Sequence, residues 1–264
     1  MTSEPARPGR GPGPDSAQPA DPAPATRPQA AGPARVTRAL AAAAAIGPFF
    51  ALGTDAAGPG WRPATAYYPD GFLAGAQARL PAAEPRVAAS ISQLDYAARL
   101  WSPVLGSGLL AQVVPDLTGL QIRAPEAVSP DAVSSLTLAL PGPAGWQAAD
   151  PITLAELSYR AVVAGHLEPL ALALDSDVAE GLLWGNAASA MVGAISVLVS
   201  ARPWLREPAT ALAADLLALG RLAGTGDLGV TGEGLGFRRR SCCLYYRLPG
   251  GALCGDCALP RRPS

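Results

Sequence analysis

The stretch from Val178 to Ser200, VAEGLLWGNAASAMVGAISVLVS, predicts one long helix and gives the strongest indication of the fold. Its apolar side chains recur three or four residues apart, which is the period of an α-helix with one buried face. Asp177 stands directly before it and is a residue type that caps the first free N–H groups of a helix. The predicted buried stripe consists of Leu182, Leu183, Ala187, Ala190, Met191, Ala194, Ile195 and Leu198.

Further helical segments flank this one in the chain. Gly47-Pro48 ends the first of them, whereas Pro103 and the glycines that follow it interrupt the second. Asp150-Pro151 supplies a capping residue and a first-turn proline for the third. Two short segments with partial alternation, residues 120–122 and 135–140, are predicted to pair as a β-hairpin. The predicted helices cover residues 35–46, 86–101, 151–164 and 208–219. The fold class is therefore mainly α with a small β element (α+β).

Composition divides the chain into four parts. Residues 1–34 are rich in Pro, Gly and Ala and offer few large apolar side chains, so this part is predicted to be a disordered tail. Residues 35–222 form the predicted helical domain. Residues 223–236 are glycine-rich and are interpreted as a connector. Residues 237–264 contain all four cysteines of the chain.

Charge and hydropathy exclude two classes of partner. The 20 basic residues are all arginine and the formal net charge is −1, so nucleic acid is not an expected partner. The apolar runs Ala39–Leu52 and Met191–Ala201 are shorter than the roughly 20 residues that span a bilayer, and no transmembrane segment is predicted. We therefore expect a cytoplasmic protein. Peripheral attachment to the inner face of the membrane is compatible with this location.

The cysteines follow the pattern C-C-x10-C-x2-C, formed by Cys242, Cys243, Cys254 and Cys257. In a reducing compartment such a set more often holds metal than disulfides. Adjacent cysteines fit a single tetrahedral zinc ion less easily than two Cys-x2-Cys pairs do, whereas four cysteines are the ligand set of a [2Fe–2S] cluster. A strand over residues 244–247, followed by a turn at 249–251, would bring the two pairs together. Zinc and disulfides remain alternatives on spacing alone.

The single histidine, His166, excludes a histidine-rich metal site. It follows Gly165 near the end of a predicted helix, where a capping role is expected.

The cysteine block resembles the C-terminus of the FhuF-like ferric siderophore reductases. The resemblance rests on RRSCCLYYR at residues 239–247 together with CGDC at 254–257. Weaker similarity is found in LWGNAA at 183–188, IGPFFAL at 46–52 and Trp101-Ser102-Pro103. The resemblance to this family implies a [2Fe–2S] cluster on the four cysteines and cytosolic reduction of ferric iron held by an imported siderophore.

This resemblance gives several other residues candidate roles. Positive charge near an anionic cluster favours its reduced form, so Arg239, Arg240 and Arg247 are candidates for tuning the cluster or attracting the ferric siderophore. Tyr245 and Tyr246 are candidates for stacking on a ligand, and at least one of them is expected to pack beneath the cluster. Trp184 and Asn186 are interpreted either as ligand contacts or as features of helix packing.

The electron donor is expected to be a separate protein, either a ferredoxin or a flavoprotein reductase. The glycines of residues 224–229 match G-x-G-x-x-G by spacing, but a predicted helix precedes them and no helix follows, unlike a dinucleotide-binding turn. The alternative hypothesis from a different class is a siderophore- or ligand-binding module whose four cysteines hold a structural zinc ion.

Overall fold

The computed structural model describes residues 28–124, 136–174, 178–231 and 234–259. About 60% of it is helical and the sheets are small, which confirms the mainly α fold class with a small β element. The helices are Pro33–Ala44 (α1), Ala64–Tyr67 (α2), Leu73–Arg79 (α3), Pro85–Ala111 (α4), Pro151–Tyr159 (α5), Glu168–Ala173 (α6), Glu180–Ala201 (α7) and Arg206–Leu217 (α8). The strands are Ala30–Ala31 (β1), Trp61–Pro63 (β2), Val113–Pro115 (β3), Gln121–Arg123 (β4), Thr137–Ala139 (β5), Gly145–Gln147 (β6), Gly226–Thr231 (β7) and Gly234–Arg239 (β8).

Helices α4 and α7 pack along each other at the centre of the core. The long helix predicted from the sequence is α7, and every residue of its predicted stripe is buried. Asp177 lies outside the described residues; the residue before α7 is Ala179, whose side chain makes no capping hydrogen bond. On α4, Gln93 donates from Nε2 to the main-chain oxygen of Leu183, 3.3 Å away, so a polar contact joins the two helices inside the core.

The predicted interruption at Pro103 is wrong, because α4, which is 27 residues long, continues through this residue. Pro103 lies in the middle of the buried part of α4, where packing on both sides outweighs the missing N–H. The glycines serve close packing instead of ending the helix. A Cβ at Gly106 would lie 2.8 Å from the Ala43 side chain of α1, and one at Gly108 would lie 2.6 Å from Leu154 of α5.

The strands form three small sheets in the described part of the chain, ordered β1-β6-β3, β2-β4-β5 and β7-β8. The hairpin predicted from residues 120–122 and 135–140 is confirmed, since β4 and β5 pair antiparallel with Gln121 opposite Ala139. The first residue of the second predicted strand, Ser135, lies outside the described residues. These short strands pack beside the helices and leave α4 and α7 as the main scaffold.

Two of the predicted segment boundaries need correction. Residues 1–27 lie outside the described residues, but Ala30–Ala31 already pair with β6 and α1 begins at Pro33, before the predicted start at residue 35. The predicted connector, residues 223–236, instead contributes β7 and part of β8, with Gly226 opposite Arg239. Antiparallel pairing satisfies the backbone donors and acceptors of this glycine-rich segment, and β8 packs against α7.

The start of α5 is as predicted. The Asp150 carboxylate accepts hydrogen bonds from the Thr153 main-chain nitrogen at 2.9 Å and from the Thr153 hydroxyl at 2.7 Å. These bonds favour the charged carboxylate and lower the pKa of Asp150. The helix was predicted to run to residue 164, but α5 ends at Tyr159 and a wider π-helical segment, Arg160–Leu167, leads into α6.

The predicted capping role of His166 is wrong, because this side chain is buried within the π-helical segment. Its Nε2 lies 2.9 Å from the Leu117 carbonyl oxygen, which can only accept, so Nε2 carries the proton. Its Nδ1 then accepts from the Tyr68 hydroxyl, 2.7 Å away, and that hydroxyl lies 2.7 Å from the hydroxyl of Tyr96. Burial lowers the pKa of His166 and keeps the ring neutral.

One described helix, α7, has the length and apolar composition that could cross a bilayer, and 78% of its apolar window is buried inside the protein. Burial of this kind is also found in the core helices of water-soluble domains, so the helix does not establish a membrane span.

Candidate metal centre

The cysteine segment is attached to the α4–α7 pair through the end of β8. Strand β8 ends at Arg239, and Cys242 and Cys243 follow three and four residues later. Cys243 is buried, and its main-chain oxygen accepts a hydrogen bond of 2.8 Å from the Ser90 hydroxyl of α4. The first cysteine pair is therefore held against the central helices, although it lies 153 residues from Ser90 in the chain.

The second cysteine pair meets the first. The sulfurs of Cys243 and Cys254 lie 3.5 Å apart, and all four cysteines are free. Two sulfurs that bind one tetrahedral metal ion at about 2.3 Å are about 3.8 Å apart, so this contact fits two ligands of one ion. The main-chain nitrogen of Cys257 donates to the Cys254 carbonyl oxygen at 3.3 Å and closes the Cys-x2-Cys turn. Within the described residues, no three His, Cys, Asp or Glu side chains are grouped closely enough for a single ion.

The strand predicted over residues 244–247 is wrong. Leu244 adopts a left-handed conformation with φ of 66°, and a 3₁₀ turn, Tyr245–Arg247, follows it. This turn reverses the chain earlier than a strand would, and it places the Leu244 main-chain nitrogen 3.4 Å from the Cys242 sulfur.

The protein without metal disfavours a thiolate at Cys254. Burial raises the pKa of this thiol well above its usual range, and the Cys243 sulfur and the Asp256 carboxylate raise it further. The Asp256 carboxylate also accepts a hydrogen bond from the Ser189 hydroxyl of α7. The Asp256 carboxylate and the two thiols are thus crowded together, and the positive charge of bound iron ions would offset the repulsion between their charged forms.

Arg239 is buried beside this segment, with 1% of its surface exposed. Its Nη2 donates to the side-chain oxygen of Asn186 at 2.7 Å and to the Leu182 carbonyl oxygen at 3.3 Å. Its Nε and Nη1 are also buried and have no hydrogen-bond partner among the described residues. Its main-chain nitrogen donates to the Asp256 carbonyl oxygen at 3.1 Å, which ties the end of β8 to the Cys-x2-Cys turn.

Asn186 connects Arg239 to the first cysteine pair. Its Nδ2 donates to the main-chain oxygen of Ser90 at 2.9 Å and to the Ser90 hydroxyl at 3.1 Å, and that hydroxyl donates to Cys243. We call Ser90, Asn186, Arg239 and the Cys243 carbonyl the Arg239 network. Gly185 leaves room for it, because the space of a Cβ there is taken by Ser241 Oγ and, at 2.9 Å, by Arg239 Nη2.

Residues 239–259, which include all four cysteines, match the family model described as the FhuF 2Fe-2S C-terminal domain. Because of this similarity we refer to residues 239–259 as the FhuF 2Fe-2S domain. The resemblance predicted from the cysteine block is confirmed at these residues, and so is the [2Fe–2S] cofactor. No curated protein and no solved structure matches the chain.

The other arginines near the FhuF 2Fe-2S domain differ from Arg239. Arg240 is exposed and pairs with the Asp227 carboxylate at 2.8 Å. Arg247 pairs with the Glu84 carboxylate, next to the start of α4, at 2.6 Å. Tyr245 and Tyr246 are both exposed, and the packing of one of them beneath the cluster stays a prediction. Of the candidates for tuning, Arg239 alone combines burial with unpartnered donors in the described part of the chain.

Trp184 precedes Gly185 on α7 but faces a different region. Its Nε1 donates to a Glu180 carboxylate oxygen at 3.1 Å, and the Arg221 guanidinium lies 5.6 Å from the centre of its ring. These three side chains line a cavity of about 370 Å³. Asn186 instead belongs to the Arg239 network, so the two candidates of the LWGNAA segment have separate surroundings.

Sequence reasoning missed Ser90 and Gly185. Ser90 is one of several small residues on a helix whose neighbours are mostly apolar, and Gly185 is a glycine inside a helical pattern. An isolated glycine in such a pattern often marks a close approach, and that was the available signal. The partner that approaches Gly185 is more than fifty residues away in sequence and could not be identified from it.

Proposed function

We propose that this protein is a ferric siderophore reductase-like oxidoreductase in which Cys242, Cys243, Cys254 and Cys257 hold the [2Fe–2S] cluster. When bound, the cluster would supply one-electron transfer from a donor protein to the ferric iron of an imported siderophore, and the iron would be released in the ferrous state. The observation that carries the proposal is the match of residues 239–259 to the FhuF 2Fe-2S domain with all four cysteines inside it. The contact between the Cys243 and Cys254 sulfurs supports the ligand set.

The proposed reaction needs no acid–base residue, and the remaining residues position the ligands. Ferric iron is a hard cation that oxygen ligands hold tightly, and one added electron lowers its charge and weakens those bonds. The chain has only to keep four thiolates in place and to set the local charge. Ser90 fixes the Cys243 main chain, and Arg239 fixes the Asp256 main chain between the last two cysteines.

We propose a separate electron donor, a ferredoxin or a flavoprotein reductase, and a cytoplasmic location. The glycines of residues 224–229 run into β7, a strand of the β7–β8 hairpin. A dinucleotide site needs such glycines between a strand and a following helix, whose N-terminus meets the phosphates. This geometry supports delivery of electrons by another protein.

The cofactor and its ligands are tested by purification without oxygen. The full chain should be red-brown, with absorption between roughly 400 and 600 nm, and should contain iron and acid-labile sulfide. Cys243→Ser should remove or alter this absorption. Tyr245→Phe, which changes an exposed neighbour, should leave it intact. A colourless protein with one tightly bound zinc ion would overturn the proposal and favour the binding module with a structural zinc site.

The reaction is tested by a single turnover. The chemically reduced protein, freed of excess reductant, is mixed with a ferric hydroxamate or a ferric catecholate complex and a chelator specific for ferrous iron. One ferrous ion should be trapped per reduced cluster while the absorption of the oxidised cluster returns. A cluster that stays reduced with both complexes would refute the reductase activity and leave the cofactor assignment standing.

A further inference from the structure

Arg239 is the one charged residue among the buried residues in the described part of the chain. Taking a guanidinium out of water costs several kcal/mol unless an opposite charge and hydrogen bonds compensate it. Arg239 has no carboxylate within ion-pair distance in the described ranges, and two of its nitrogens have no partner. A buried cation left so incompletely paired points to an anion that belongs beside it.

The surroundings hold the guanidinium in one place. Asn186 accepts from Nη2, and Ser90 fixes the orientation of the Asn186 amide by accepting from its nitrogen. The absence of a side chain at Gly185 allows Nη2 and the Ser241 hydroxyl to approach α7. The Ser241 hydroxyl is also buried without a partner, directly before Cys242. The site thus contains three donors without a partner. Arg239 at the end of β8 contributes Nε and Nη1, and Ser241, directly before the first cysteine pair, contributes its hydroxyl.

The anion that fits these donors is the cluster itself. Four thiolates and two sulfides outweigh the charge of two irons, so the cluster is anionic when oxidised and more so after one electron is added. Arg239 is tied to both cysteine pairs, through Asn186 and Ser90 to Cys243 and through its own main chain to Asp256. Arg240 and Arg247 already face carboxylates and are more exposed.

We infer that Arg239 is a positioning residue that supplies the buried counter-charge of the FhuF 2Fe-2S domain and makes the cluster easier to reduce. The inference rests on the proposed cysteine ligands but does not depend on the siderophore. The Arg239 network holds this charge in place, and burial protects it from screening by salt. Loss of the charge should therefore shift the midpoint potential of the cluster to a more negative value.

The test compares Arg239→Gln and Arg239→Lys with the neighbouring control Arg240→Gln. The midpoint potential of the full chain is measured by a redox titration followed by EPR, at low and at high salt. Arg239→Gln should shift the potential to a more negative value at both salt concentrations. Arg239→Lys keeps the positive charge, so its potential should lie close to that of the parent. Arg240→Gln should leave it close to that of the parent. Equal potentials for Arg239→Gln and the parent, or equal shifts at positions 239 and 240, would overturn the inference.

A second readout covers the case in which Arg239→Gln does not retain its cluster. Iron and sulfide content and the far-ultraviolet circular dichroism of the full chain are then compared. If Arg239→Gln keeps the helical signal but contains no iron, and Arg239→Lys contains as much iron as the parent, the counter-charge role is supported. Loss of the helical signal shows that Arg239 is needed for the fold and overturns the inference. Neither outcome depends on ferric siderophore, so failure of the reductase activity would be recognised separately.

Discussion

The substitution Gly185→Ala tests the close approach between α7 and the cysteine segment. A Cβ at this position would lie 2.9 Å from Arg239 Nη2 and would overlap the Ser241 hydroxyl. The Ser241 hydroxyl has no partner to lose and can rotate away, but Nη2 is held by Asn186 at 2.7 Å. The main effect of the new methyl group is therefore displacement of the guanidinium from its hydrogen bond.

The magnitude follows from two opposing contributions. A hydrogen bond to a charged group contributes about 1.5–3 kcal/mol to stability. Replacing a glycine inside a helix by alanine returns about 0.5–1 kcal/mol. The net loss is then about 0.5–2.5 kcal/mol, which lowers the melting temperature by roughly 1–10 °C for a chain of this size.

The matched control is Gly193→Ala on the same helix. No atom lies within 4 Å of the position of a Cβ at Gly193, so this change should stabilise the protein and raise the melting temperature by about 1–4 °C. Thermal unfolding followed by circular dichroism on both variants separates steric overlap from helix propensity. If Gly185→Ala stabilises the protein as much as Gly193→Ala does, the packing described around Arg239 is wrong.

Three other predictions test separate parts of the molecule. Asn186→Asp should pair with Arg239, neutralise it and shift the midpoint potential to a more negative value; an unchanged potential would argue against the counter-charge. Asp150→Ala should lower the melting temperature at neutral pH because the α5 cap is lost, whereas Asp150→Asn should keep most of it. Since the folded-state pKa of Asp150 is lowered, the part of the stability that depends on the charged carboxylate is present above about pH 4 and is lost as the pH falls through the folded-state pKa, so the parent should approach Asp150→Asn there. Burial lowers the pKa of His166, so its neutral form stabilises the fold above about pH 6.5. On acidification below that pH, the parent should therefore lose more stability than His166→Gln. Parallel plots of melting temperature against pH for the two proteins would contradict this.

Local signals in the sequence predicted the elements that depend on local interactions. The stripe of α7 and the cap at Asp150 depend on residues within a few positions of each other, and both are present. The continuation of α4 through Pro103 depends on burial of the helix by distant elements, and the sequence predicted a break there. The glycine-rich residues 223–236 were predicted to be a connector because glycine makes a chain flexible, but the antiparallel pairing of β7 with β8 and packing on α7 determine their structure.

The same distinction applies to the site. The resemblance of the cysteine block predicted the FhuF 2Fe-2S domain, because the four cysteines lie within 16 residues of sequence. Three arginines there were equivalent candidates at that stage, since composition does not show which of them is buried. The choice of Arg239 required the contact with Asn186, 53 residues earlier, and the support of that amide by Ser90, 96 residues earlier still.

The Arg239 network also accounts for how the cysteine segment stays on the helical body. In the described residues 240–259, the one buried apolar side chain is that of Cys243. So little apolar burial cannot offset the conformational entropy of ordering about 20 residues. Hydrogen bonds from Ser90, Arg239 and Ser189 and the ion pair of Arg247 with Glu84 anchor the segment, and we expect the cluster to provide the rest of the stabilisation by joining both cysteine pairs. Ordering of the segment, burial of the Arg239 charge and binding of the cluster are therefore expected to be one coupled equilibrium, in which the unpartnered guanidinium disfavours the metal-free form and favours the loaded one.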